Sequence, residues 1–292
     1  MEKKKISIGA EELAYLDIGE GEVVVMVHGN MSSSVHYEPL ISRLKEKFRC
    51  IAVDLRGFGD SSYNNRFDTL DELAEDVNAL TEALGIDKYY LIGWSNGGGV
   101  GLKLCSKYPE KVKKFFDIEG AGYKGYPLYK KENYKSTGKP YESKEEMATD
   151  PIQVAPVLAI FEKGDAPMMT SIWDATIYTV NKPTKEQNEL WMSETLKQRN
   201  LVDLDWALAN LNMSEEYTPY GLGDGTIKNI VCPVALTMGE KDVVVPDWMV
   251  MDNYNILAEK ATLLPYPNCG HSPMVDCPDK LASDVIEFFK EV

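Results

Sequence analysis

Ser95 lies in the pentapeptide 93–97, Gly-Trp-Ser-Asn-Gly, which places a hydroxyl between two glycines. The residues before it, 88–92, are mostly apolar and aromatic and predict a buried strand, whereas 98–105 predict a helix. A serine on a tight turn between a strand and a helix presents its hydroxyl to a substrate. The flanking glycines remove Cβ atoms that would collide in such a turn. The pattern is short and also fits a structural glycine-rich turn, so its partners must be found elsewhere in the chain.

His271 and Asp242 are the candidate partners of this serine. A serine hydroxyl is a weak nucleophile until an imidazole takes its proton, and a carboxylate holds that imidazole in the required tautomer. Asp242 follows the apolar run 234–238 and His271 follows 261–266, and both runs predict strands. Functional groups gather at the carboxyl ends of such strands. We predict that Ser95 is the nucleophile, His271 the general base and then acid, and Asp242 the orienting carboxylate.

Two other carboxylates compete with Asp242 for the third role. Glu240 is only two residues away, and Asp117 follows the predicted strand 113–116. The order Ser, Asp, His is the order that an α/β fold with this serine turn uses. Asp242 is therefore the predicted acid, with Glu240 and Asp117 left open.

Four blocks of the sequence are informative together: Val27-His28-Gly29-Asn30, Asp54-Leu55-Arg56-Gly57-Phe58-Gly59-Asp60-Ser61, the pentapeptide 93–97, and the pair Asp242 and His271. With these blocks the chain resembles the α/β-hydrolase superfamily over nearly its whole length. The resemblance implies an α/β fold with a mostly parallel twisted sheet, helices on both faces and a helical cap inserted after the sixth strand. It implies a core made of residues 1–122 and 227–292 and a cap, or lid, made of residues 123–226.

The same resemblance implies where an oxyanion would be bound. In this family one donor is the backbone N–H of the residue after the nucleophile, here Asn96. The second donor comes from the loop after the third strand, which points to the N–H of Asn30, with Met31 as a shift by one. His28 in that loop is interpreted as a structural residue. For His36, a place at the site and a place on the surface both stay open.

Four residues are predicted to line the substrate site: Met31, Trp94, Trp173 and Met274. Trp94 and Met274 are next to the chemistry in sequence, and Trp173 belongs to the predicted cap. Aromatic residues at helical spacing in a cap often pack within the cap itself. The other cap residues that could line the site have the same two interpretations, lining or internal packing; they are Met168, Met169, Ile177 and Tyr178.

The residue types narrow the expected reaction. Position 95 is serine, whereas haloalkane dehalogenases and epoxide hydrolases of this fold use an aspartate nucleophile. The loop 28–31 also lacks the His-Gly-Gly-Pro of proline iminopeptidases. The prediction is a serine hydrolase similar to esterases and lactonases, which cleaves a small carboxylic ester or lactone through an acyl-enzyme. A carbon–carbon bond hydrolase, a cofactor-free perhydrolase and a hydrolase-like receptor for a small molecule stay open as alternatives.

The composition is that of a chain with an acidic surface. Among 292 residues the formal net charge is −15, which argues against partners such as nucleic acid and anionic membranes. The first eight residues are charged and no apolar signal region follows them, so the cytoplasm is the predicted location. No cofactor and no metal are predicted, because Cys269 and Cys277 beside His271 match no zinc spacing. The oligomeric state stays open.

Overall fold

Twelve strands are found in the structure, a computed structural model that describes residues 2–290. They are β1 (Lys4–Ile8), β2 (Glu11–Ile18), β3 (Glu22–Val27), β4 (Phe48–Val53), β5 (Tyr89–Trp94), β6 (Val112–Ile118), β7 (Tyr129–Glu132), β8 (Lys135–Pro140), β9 (Tyr217–Thr218), β10 (Gly221–Leu222), β11 (Val234–Gly239) and β12 (Ala261–Tyr266).

Eight of these strands form one sheet in the order β1-β2-β4-β3-β5-β6-β11-β12. The pairs β1–β2 and β2–β4 are antiparallel, and every other neighbouring pair of the sheet is parallel. The predicted mostly parallel sheet is therefore confirmed. Its parallel part directs the carboxyl ends of β3, β5, β6, β11 and β12 to one edge, where the candidate site lies.

The described chain also contains eleven α-helices and three short 3₁₀ turns. None of these helices is long and apolar enough to cross a membrane. The helices are α1 (Glu38–Leu44), α2 (Leu70–Ala83), α3 (Asn96–Lys107), α4 (Lys144–Met147), α5 (Ala155–Lys163), α6 (Ala166–Thr176), α7 (Lys185–Thr195), α8 (Leu201–Asn210), α9 (Asp247–Leu257), α10 (Pro273–Asp276) and α11 (Pro278–Lys290), and the 3₁₀ turns are Ser34–Tyr37, Thr226–Asn229 and Ala258–Lys260.

The helices cover both faces of the sheet, as predicted. Along β3, Val25 and Val27 pack into one hydrophobic cluster with α2, α3 and α9, whereas Val24 and Met26 pack into another with α1 and α11. Alternate residues of a strand point to opposite faces, so a sheet covered on both faces needs apolar residues throughout. Strand β5 shows this requirement, because all six of its residues are buried.

Helix α2 carries leucine and valine residues at helical spacing. Leu73, Val77 and Leu80 are fully buried on its core face. Its first turn is stabilised by Glu72, whose carboxylate accepts a hydrogen bond of 3.0 Å from the N–H of Thr69.

The segment between β6 and β11 differs in detail from its sequence pattern. Residues 123–141 show no periodicity, yet they contain the antiparallel hairpin of β7 and β8. Helices α4 to α8 follow, in the part of the chain predicted to be helical. The closing helix is α11, which is described to Lys290, and residues 291–292 lie outside the described chain.

Replacing Leu80 by alanine tests the packing of α2 on the sheet. Leu80 is fully buried, so Leu80→Ala is expected to lower the free energy of unfolding by about 2–5 kcal/mol. Leu190→Ala is the matched control, because Leu190 is 43% exposed on α7 and its loss should change stability by no more than about 0.5 kcal/mol. Denaturant unfolding of both variants measures the difference; equal losses would contradict the assigned core.

Candidate active site

Ser95 lies on a strained turn between β5 and α3. Its φ is 57° and its ψ is −119°, a backbone conformation that non-glycine residues seldom adopt. A Cβ added at Gly97 would lie 1.9 Å from the carbonyl oxygen of Val27, and one added at Gly93 would lie 2.4 Å from that of Gly97. The turn is therefore pressed against β3, and both flanking glycines are needed for it to form.

His271 and Asp242 are joined by a short hydrogen bond. Asp242 Oδ2 lies 2.7 Å from His271 Nδ1, and the other carboxylate oxygen accepts from the N–H groups of Val244 at 2.7 Å and Val245 at 3.0 Å. Burial opposes ionisation of Asp242, but the ring and the two N–H donors outweigh it and hold the pKa of this carboxyl below its usual value. An ionised Asp242 holds the ring with Nε2 left free.

The two carboxylates that compete with Asp242, those of Glu240 and Asp117, do not bind the imidazole of His271. Glu240 is exposed, and its carboxylate accepts from the N–H of Asn268 at 3.3 Å. Asp117 does not follow β6 but belongs to it, and its side chain points towards α3, where a Cβ at Gly98 would lie 2.4 Å from Asp117 Oδ1. Neither carboxylate has a hydrogen bond to His271 within the described chain.

Ser95 and His271 line the same cavity, which has a volume of about 440 Å³. No hydrogen bond between the Ser95 hydroxyl and the imidazole is present among the described residues. Such bonds are often long before substrate binds and shorten only in the complex. The common cavity brings the predicted nucleophile and the predicted base to one position.

The two predicted oxyanion donors face this cavity as well. Asn30 and Asn96 line it, and the backbone N–H of neither residue has an acceptor within residues 2–290. The N–H of Met31 is engaged, because it donates to Gln198 Oε1 and to Asn30 Oδ1, both at 2.9 Å. Asn30 rather than Met31 therefore offers a free donor in this loop.

Three of the four predicted lining residues, Met31, Trp94 and Trp173, line the cavity. The fourth, Met274, does not, because α10 turns its side chain into the hydrophobic cluster beneath α1 and α11, where it is only 1% exposed. Of the other cap candidates, Ile177 lines the cavity. Met169 and Tyr178 are buried in packing, and Met168 is half exposed.

The two remaining histidines are buried and uncharged. His28 Nε2 accepts from the N–H of Leu55 at 3.1 Å, and burial lowers the pKa of its ring to about 4, in agreement with a structural role. His36 lies neither in the cavity wall nor on the surface. It packs between Trp173 and Trp191, with ring centres 5.2 Å and 5.3 Å away, and burial lowers its pKa to about 3.

Glu119 is a buried carboxyl beside Asp242 that the sequence analysis missed. It directly follows β6 with a φ of 45°, and it accepts from the N–H of Gly239 and the hydroxyl of Thr237, both at 2.9 Å. Burial and the charge of Asp242 raise the pKa of Glu119 to about 8. Its place at the carboxyl end of a central strand was the signal that could have revealed it.

Asp205 on α8 is the second residue that was missed. It lines the cavity opposite the strand ends, and its Oδ1 accepts from Asn30 Nδ2 at 3.2 Å. The side chain of Asn30 also accepts from Gln198 Nε2 at 2.8 Å. No local motif in the sequence marks Asp205, because its position depends on how α8 packs over the site.

Within residues 2–290, Asp54, Asp60 and Glu194 form the one acidic cluster with a spacing suited to a metal ion. The ammonium of Lys3 lies among them, 2.7 Å from Asp54 and 3.3 Å from Asp60, and also pairs with Glu194. Lys197 also pairs with Asp60 and Glu194, so two ammonium groups of the chain itself compensate much of the charge of this cluster. The cluster takes no part in the cavity that contains Ser95.

Comparison with known proteins agrees with this architecture. A family model described as the alpha/beta hydrolase fold matches residues 22–122. The cis-3-alkyl-4-alkyloxetan-2-one decarboxylase of Shewanella oneidensis is 36% identical over 116 residues, which cover 37% of this chain and 36% of that protein. The chain thus spans about a third of the length of this relative.

Two further proteins are similar over most of their length. The pimeloyl-(acyl-carrier protein) methyl ester esterase of Nitrosomonas europaea is 24% identical over 284 residues, which cover 91% of this chain and 94% of that protein. A solved thermophilic esterase from Thermogutta terrifontis matches with a TM-score of 0.74 and 21% identity, over 99% of this chain and 98% of that one. This structural likeness establishes the fold.

Replacing Glu119 by glutamine tests its protonation through stability. Because its pKa is about 8 in the folded chain and about 4.5 when unfolded, the unfolded state loses its proton first. Between these pH values, rising pH should destabilise the native protein relative to Glu119→Gln, by at most about 1.4 kcal/mol per pH unit. Denaturant unfolding at pH 5, 7 and 9 measures this trend. The exposed Glu240→Gln should follow the native profile; a Glu119→Gln profile parallel to the native one would refute the assignment.

Proposed function

We propose that this chain, which belongs to the α/β-hydrolase superfamily, is a serine hydrolase that cleaves a small carboxylic ester or lactone through an acyl-enzyme. One observation carries the proposal. The imidazole of His271, held by Asp242 at 2.7 Å, faces the same cavity as Ser95 on its strained turn. A nucleophile, a base and an orienting carboxylate on one cavity suit acyl transfer.

Each residue then has a defined part in the reaction. The Ser95 hydroxyl attacks the substrate carbonyl as His271 Nε2 takes its proton, and Asp242 stabilises the imidazolium that forms. The free N–H groups of Asn30 and Asn96 bind the negative oxygen of the tetrahedral intermediate. The imidazolium returns the proton to the leaving alcohol, and water releases the acyl group by the same steps.

The cavity supports a small and largely apolar substrate. Its wall contains many aliphatic and aromatic side chains, and among the residues that line it none is lysine or arginine. A pocket of about 440 Å³ has the size of sites for small molecules. The methyl ester esterase of Nitrosomonas europaea, similar over most of its length, agrees with an ester substrate.

Helices α4 to α8 support a cap over this cavity. Residues from this segment, among them Trp173, Ile177 and Leu201, form the wall that faces the strand ends. We therefore assign residues 123–226 to the cap and residues 1–122 and 227–292 to the core. In this arrangement the cap selects the substrate and the core performs the chemistry.

Fluorophosphonate labelling followed by intact mass tests the nucleophile. The native protein should gain one phosphonyl group, and Ser95→Ala should gain none, because only a serine activated by its base reacts at a useful rate. Native protein that stays unlabelled would contradict the proposal and favour the hydrolase-like receptor. Labelling without ester or lactone turnover would direct the search to carbon–carbon bond cleavage or perhydrolysis, which use the same residues.

Asp242→Asn tests the acid of the triad. Loss of the carboxylate leaves the imidazole in the wrong tautomer, so turnover of an ester should fall by about ten-thousandfold. Glu240→Gln is the matched control, because Glu240 is exposed and bonded to Asn268, and it should keep native turnover. Steady-state hydrolysis of p-nitrophenyl butyrate compares the two variants. An active Asp242→Asn together with an inactive Glu240→Gln would reverse the assignment.

A further inference from the structure

Asp205 is the one carboxyl group among the residues that line the cavity. Its side chain is 7% exposed, and Asn30 Nδ2, which is bonded to Oδ1 at 3.2 Å, is its sole hydrogen-bond partner within the described chain. Its second oxygen thus has no partner and is not enclosed by protein atoms. A carboxyl oxygen without a partner faces the space that a substrate would occupy.

The neighbouring charge that acts on Asp205 is negative. No lysine or arginine lines the cavity, and Asp150 is the neighbouring charge that acts on Asp205. Asp150 accepts from the N–H groups of Ile152 at 2.8 Å and Gln153 at 2.7 Å and from the Tyr141 hydroxyl at 2.7 Å, which hold its pKa below its usual value despite burial. Lys131 Nζ lies 3.8 Å from Asp150 Oδ2 and is the countercharge of Asp150, whereas Asp205 has no cation partner within the described chain.

Buried carboxyls in proteins are usually paired with a positive charge. The structure supplies pairing cations at its other acidic cluster, where Lys3 joins Asp54, Asp60 and Glu194, but not at Asp205. We propose that Asp205 receives the ammonium group of the substrate, so that the preferred substrate is an ester or lactone with an amino group a few bonds from its scissile carbonyl. This inference rests on the proposed hydrolase function.

The contact between Asn30 and Asp205 limits how far the amino group can lie from the scissile carbonyl. The backbone N–H of Asn30 is a proposed oxyanion donor, and its side chain is bonded directly to Asp205. The carbonyl and the ammonium would thus bind on either side of one residue. Esters that bear a carboxylate at this position are disfavoured, because their charge would lose its hydration and find no cation among the residues that line the cavity.

Protonation of Asp205 explains how the cavity wall tolerates this carboxyl without a cation beside it. Burial and the charge of Asp150 raise its pKa to about 8, although the Asn30 bond opposes the rise. The group is therefore mostly neutral at pH 7 without a ligand. An ammonium stabilises the carboxylate, so binding at pH 7 releases up to one proton to the buffer.

Methyl esters of one chain length test the specificity. The panel is butanoate, 2-aminobutanoate, 3-aminobutanoate, 2-hydroxybutanoate and hemisuccinate, with acid release measured at constant pH. In the native protein, kcat/KM for the better amino ester should exceed that for butanoate by about tenfold, and hemisuccinate should be the poorest substrate. Equal rates for amino and plain esters, or a preference for the hydroxy or succinate ester, would overturn the inference.

Asp205→Asn keeps an oxygen that can accept from Asn30 and removes the charge. The ratio of kcat/KM for amino over plain ester should fall by about tenfold or more, chiefly through KM. Asp174→Asn makes the same chemical change on α6, outside the cavity, and should keep the native ratio. A ratio that stays native in Asp205→Asn, with an unchanged thermal midpoint, would overturn the inference.

Binding to Ser95→Ala separates this inference from the proposed function. Titration calorimetry with methyl 3-aminobutanoate in two buffers of different ionisation enthalpy should show proton release at pH 7, and the release should be lost in Ser95→Ala/Asp205→Asn. This result would support the ammonium site even if the native protein hydrolysed no ester. Equal affinity of Ser95→Ala for the amino ester and for methyl butanoate would refute the site even if Ser95 were labelled.

Discussion

The close approach of the Ser95 turn to β3 is the constraint on which the rest of the site depends. A Cβ at Gly97 would overlap the carbonyl of Val27, so the turn can be this tight only between two glycines. This contact sets the height of the serine above the strand ends. It also brings Asn96, at the start of α3, beside the loop of Asn30. The strain at Ser95, typically about 1–3 kcal/mol, persists because the buried sheet holds both ends of the turn.

The pKa values of three carboxyl groups near the site are set by their different surroundings. Asp242 has the imidazole and two backbone N–H donors, and these keep it ionised in spite of burial. Glu119, close by, cannot carry a second negative charge at low cost, so its pKa rises to about 8. Asp205 reaches a similar value without any cation at its side. In our proposal, Asp242 thus orients the imidazole, Glu119 supports the site beside Asp242, and Asp205 selects the substrate.

The polar contacts of Asn30 connect the two halves of the molecule. Its side chain binds Gln198 and Asp205, which belong to the inserted segment, while its backbone belongs to the loop after β3. A shift of α8 would therefore move the amide that flanks the proposed oxyanion position. In our proposal, substrate selection by the insertion and transition-state stabilisation by the core therefore depend on the same residue. We infer that changes on the cap side of this contact affect both steps.

The mostly parallel sheet, the serine turn and the candidates Ser95, His271 and Asp242 could be predicted from the sequence. These follow from strand and helix periodicity and from turn glycines, which are properties of neighbouring residues. The packed structure alone shows that Asp117 points away beneath α3, that Met274 is buried, and that Glu119 lies beside Asp242. It also placed Asp205 in the cavity wall. Such positions depend on how distant elements pack, and no local pattern of residues encodes that packing.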